Sequence, residues 1–130
     1  MRKFSLTILL LLVANLFLTA CAADDNRAPA KAVEEYLNTL VAKDANRIPT
    51  LVCGDWEEQA LIELDSLQAV TARLDNVACT QTGTDGDTAL VNCSGKLIAT
   101  YNNENQELDL SVRTYQVVQQ DGDWLVCGTR

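Results

Sequence analysis

The chain has 130 residues, 18 acidic against 10 basic side chains and no histidine, for a formal net charge of −8. A surface of that sign repels phosphate backbones and anionic lipid headgroups, which argues against nucleic acid as a partner. The missing histidine removes the usual general base, the usual triad partner and the commonest zinc ligand.

Arg2 and Lys3 precede an apolar run from Phe4 to Ala20, the order of a secretory signal peptide. The run ends in small residues, without the basic flank of a stop-transfer segment, so residues 1–20 read as a leader to be removed. Leu18-Thr19-Ala20-Cys21 resembles the lipobox of bacterial lipoproteins. The resemblance implies that Cys21 becomes the first mature residue and carries lipid, and that two or more acyl chains hold the protein at the extracytoplasmic face of a cell-envelope membrane. An ordinary signal-peptidase site at Ala20-Cys21-Ala22 would instead release the same domain in soluble form. Loss of the leader takes away Arg2 and Lys3 and moves the net charge to near −10. Residues 21–28 read as a polar tether, and residues 29–130 as one small α+β domain.

A helix is expected to begin with Pro29 in its first turn, because Ala30, Val33, Leu37, Leu40 and Val41 recur at three- and four-residue steps. Asp44 or Pro49 interrupts it, and Ala45 to Val52 is expected to form a short helical piece. Asp55 caps a second helix with Glu58 at the capping-box position, and Trp56, Ala60, Leu64 and Leu67 form its stripe. From Val70 the period changes to two, with turn signals near Asp85-Gly86, Asn102 to Gln106 and Asp121-Gly122. Four antiparallel strands are expected at roughly 70–81, 88–101, 107–119 and 123–128, a curved meander with the helices packed on one face.

Cys53, Cys79, Cys93 and Cys127 are an even set in a small exported domain, hence two disulfides. A four-residue loop at 103–106 and a two-residue loop at Asp121-Gly122 would set Cys93, Gln116 and Cys127 in one inward row. Two strand spacings then separate Cys93 from Cys127 by roughly 9–10 Å, too far to bridge. That register leaves Cys79–Cys93 and Cys53–Cys127, provided the first hairpin contains a bulge. It also turns Tyr115, Val117, Trp124 and Val126 outward, as an apolar face for a protein partner or a second copy. A metal or redox role for the thiols lacks a Cys-x-x-Cys pair. The two Asp-Gly-Asp turns offer calcium too few oxygens, and hairpin chemistry explains them. No cofactor is called for. Arg73 and Arg113, among acids on the same outer face, are expected to form exposed ion pairs.

The element order, the Leu-Val-Cys-Gly-Asp-Trp junction and the final Asp-Gly-Asp-Trp-Leu-Val-Cys-Gly strand resemble the nuclear transport factor 2-like group of cystatin-like cone folds, in particular small exported lipoproteins without an assigned activity. The resemblance implies a cone cavity, for which Tyr36, Asp65 and Tyr101 are the candidate lining groups. The acid–base set of the group's enzymes finds no match here residue by residue. The expected function is therefore a lipid-anchored domain that binds a protein or small ligand. The alternatives are a cone-cavity isomerase, dehydratase or hydrolase, and a structural spacer.

Overall fold

The computed structural model describes residues 27–130; the leader, Cys21 and the tether up to residue 26 lie outside the described residues. Two helices pack on a five-stranded antiparallel sheet: α1 (Arg27–Ala42), α2 (Gly54–Ser66), β1 (Thr71–Asp85), β2 (Thr88–Tyr101), β3 (Glu104–Asp109), β4 (Thr114–Gln120) and β5 (Asp123–Thr129). Helix α1 includes Arg27 and Ala28, two residues that the sequence reading gave to the tether. None of the described helices is long and apolar enough to cross a membrane.

Ala30, Val33, Tyr36, Leu37 and Leu40 all lie on the buried side of α1, as their spacing requires. The helix stops where Lys43 adopts a left-handed φ of 58°. There the Lys43 and Asp44 amides donate back to the Leu40 and Thr39 carbonyls, satisfying groups that would otherwise end the helix unpaired. The expected helical piece after it shrinks to one 3-10 turn, Ile48–Thr50. Leu51 to Cys53 runs beside the edge of β5 instead: Val126 N–H donates to Leu51 O at 2.9 Å and Cys53 N–H to Val126 O at 3.1 Å. Helix α2 starts at Gly54, just ahead of the expected cap; Asp55 and Glu57 occupy its first turn, where negative charge suits the helix dipole.

The sheet order is β1-β2-β4-β5, with β3 pairing the far half of β2. The expected third strand is thus two strands, broken by a 3-10 turn at Leu110–Val112. Its cause is local: the Asp109 carboxylate accepts from Ser111 N–H at 2.9 Å and Ser111 Oγ at 2.7 Å, closing the chain on itself. Leu110 turns into the core and Val112 is thrown out, 70% exposed. Asn102 and Asn103, both at positive φ, make a two-residue turn, so Ala99 faces Gln106 rather than Leu110.

Three residues in a 3-10 turn do not preserve a period of two, and the inward parity of the strand that follows is reversed. Tyr115, Val117 and Val126, expected on the outer face, are 1%, 0% and 0% exposed and sit in the core beneath the helices. Trp124 shares their face but is only half-buried, at its edge. Gln116 pairs with Gly128, Val117 with Val126, and Cys127 is the bulged residue between them, not the partner of Gln116.

The cysteines are nevertheless joined as expected, Cys79 to Cys93 and Cys53 to Cys127, with Cα–Cα distances of 4.0 and 5.2 Å. A register shift between Gln81 and Gly83 sets Cys79 opposite Cys93, the irregularity that the sequence reading required. Cys53 reaches Cys127 along the edge of β5, next to the Val52–Val126 bridge. A second irregularity, at Asn76, is met across the sheet by Gly95 at φ +90°, where any Cβ would lie 2.5 Å from the Asn76 carbonyl oxygen.

Candidate functional site

Between α1, α2 and the β2–β3 end of the sheet lies a cleft of about 90 Å³ walled by Leu37, Leu40, Leu67, Leu97, Leu108 and Leu110. It continues outward into a shallower groove of about 370 Å³, with Val70, Ala99 and Gln106 along it. Leu97 pairs across the sheet with Leu108, which aligns two of these walls.

At one side of the leucines stands a polar group drawn from three elements. Glu63 of α2 accepts from the Tyr36 hydroxyl of α1 at 2.8 Å and from Arg113 Nη1, just ahead of β4, at 3.4 Å. The Glu63 and Arg113 side chains are 20% and 34% exposed, so the pair is partly desolvated. Tyr36 is wholly buried. Burial, followed by the negative charge of Glu63, holds its hydroxyl protonated far above the ordinary tyrosine range. Burial raises Tyr115 as well, opposed by the positive charge of Arg113. The indole Nε1 of Trp56 is buried near the Tyr36 oxygen without a well-formed hydrogen bond. Chemically, the group offers a carboxylate acceptor and a guanidinium donor side by side, facing an apolar hole.

None of the three residues expected to line a cavity lines this cleft: Tyr36 is buried behind it and reaches it only through its hydrogen bond to Glu63. Asp65 is exposed on α2, and Tyr101 is 59% exposed at the end of β2, beyond the cleft. Arg113 and Arg73 do not share an outer face: Arg73 pairs with Asp75 at 3.7 Å in solvent, whereas Arg113 turns inward to Glu63. Glu63 was not singled out in the sequence. It lies seven residues after Trp56 and three after Ala60, so helical periodicity does set it beside the apolar stripe. Nothing local marks Arg113, because its direction depends on the turn at Leu110–Val112.

No protein-family model and no curated protein matches the chain. Among solved structures, the solution structure of a SEC-C motif-containing protein from Rhodopseudomonas palustris aligns with a TM-score of 0.54 at 10% identity, over 79% of this chain and 77% of that one. The likeness establishes a common α+β fold and carries no residue roles at this identity.

Proposed function

We propose that the chain is an exported, lipid-anchored binding domain of the nuclear transport factor 2-like kind, held at the extracytoplasmic face of a bacterial membrane through Cys21. The leader-like run, the lipobox and two disulfides of the sort that persist in oxidising compartments support the location. Helices ahead of an antiparallel sheet support the group.

The observation that carries the binding reading is the leucine cleft with its Glu63–Arg113 flank. A cleft of about 90 Å³ is well below the roughly 300–1,000 Å³ of pockets that swallow a whole substrate. It suits one branched aliphatic group whose attached polar atoms accept from Arg113 and donate to Glu63, with the rest of the ligand in the outer groove. A catalytic reading would rest on the Tyr36–Glu63 pair. It is the weaker one, since that carboxylate is already engaged by two donors and the space beside it is small.

Two experiments test this. Cys21→Ala should abolish partitioning into the detergent phase; retained partitioning would remove the anchor. In methyl NMR, 3-methylbutanol should produce saturable shifts at Leu67, Leu97 and Leu108 that a folded Leu108→Trp variant no longer gives. Uniform or non-saturating shifts would remove the cleft as a binding site.

A further inference from the structure

A second concave region lies at the opposite end of the sheet, where the β1–β2 and β4–β5 turns come together across the Thr88–Val118 pair. It is a depression of about 490 Å³ beside Trp124, within the size range of ligand sites. We propose that it binds a neutral oligosaccharide, with Trp124 as the platform on which a sugar ring lies.

Three observations converge. Trp124 is half-buried: part of its ring packs on the core and part remains open to the depression. An indole fixed in this way presents a rigid apolar face at little entropic cost, and the C–H face of a pyranose is its complement. Around the ring stand Gln81, Gln119, Thr84 and Asp87, a hydrogen-bonding rim unlike the leucine cleft. Both amides are oriented by the backbone: Gln119 Nε2 donates to Gly122 O at 3.3 Å and Gln81 Nε2 to Gly83 O at 3.4 Å. Their Oε1 atoms, together with the Asp87 carboxylate, are left as acceptors for hydroxyl groups. Ala89, 2% exposed on the same face, is small and lets a ring approach the sheet.

The charge distribution selects within the class of saccharides. Asp87 in the rim, Asp121 and Asp123 in the adjoining turn, and the chain's net charge of −8 disfavour uronic, sialic or phosphorylated sugars. An ammonium cation would find the same indole face and the same Oε1 and carboxylate acceptors, so a polyamine is the competing occupant that the test includes. The site shares no residue with the leucine cleft, so either proposal can fail without the other.

The test is amide and indole NMR on residues 27–130 with their native disulfides, titrated separately with the β-1,4-linked tetramers of glucose, N-acetylglucosamine and mannose, and with spermidine. One neutral tetramer or more should give saturable shifts at the Trp124 indole, Gln81 and Gln119, with a Kd of about 1 mM or tighter. Trp124→Ala should weaken that binding at least about tenfold, Trp124→Phe should recover part of it, and Gln119→Leu should weaken it with the ring intact. Saturation by spermidine alone, no saturation by any tetramer up to about 10 mM, or unchanged affinity in a folded Trp124→Ala variant would overturn the proposal.

Discussion

The two disulfides close loops of very different length, which makes their contributions separable. Cys53–Cys127 spans 74 residues and Cys79–Cys93 spans 14. The chain-entropy relation gives about 4.4 kcal/mol for the first and about 3.0 kcal/mol for the second at room temperature. The long bridge also holds Leu51 to Cys53 against β5, so its removal exposes two backbone hydrogen bonds to fraying. The short one bridges a hairpin already aligned by its turn and by twelve cross-strand pairs. Cys53→Ala/Cys127→Ala and Cys79→Ala/Cys93→Ala double variants should be compared by urea unfolding, where the slope for a domain of this size is roughly 1–3 kcal/mol per molar. The long-loop variant should lose more, by about 1 kcal/mol or beyond. An equal or larger loss from the hairpin variant would refute the loop-entropy reasoning, and a non-reducing peptide map that joined Cys53 to any other cysteine would refute the pairing itself.

The remaining predictions follow from single sites. Tyr36 keeps its proton in the folded protein at a pH where the unfolded chain releases it near 10.0. Its contribution is therefore complete below pH 10 and falls as pH rises, by about 1.4 kcal/mol per unit per buried tyrosine. Tyr36→Phe should reduce the alkaline slope of stability, leaving the Tyr115 share; an unchanged slope would mean that the hydroxyl is not buried as described. Gly95→Ala should cost about 2 kcal/mol or more in chemical denaturation, because the new Cβ meets the Asn76 carbonyl at 2.5 Å, whereas Gly83→Ala meets nothing within 4 Å and should cost under about 1 kcal/mol. Val117→Asp should unfold the domain or cost about 3 kcal/mol or more by burying a carboxylate in the core, while Val112→Asp, at an exposed position, should be near neutral. If the two variants were alike in thermal melts, the assignment of faces would be wrong.

Much of the architecture is written in short-range patterns. The stripe on α1, the stripe on α2 and the two-residue turn at Asp121-Gly122 each depend on residues a few positions apart, and each is where the local pattern puts it. The disulfide pairing was legible too, although part of the register used to reach it was not. Glu63 was within reach of the same reasoning, since its position beside the stripe of α2 follows from helical spacing alone.

The tertiary structure alone decided which way β4 and β5 face, and with them the position of Arg113. Alternation states which residues share a side within one strand; it carries no information across a turn that is not a multiple of two. The Asp109–Ser111 contact inserts such a turn, and the core then accepts Tyr115, Val117 and Val126 because burying them removes more apolar surface from water than Val112 and Val118 would. The cleft and the Trp124 depression are products of that choice, made by long-range packing after the local signals have been spent.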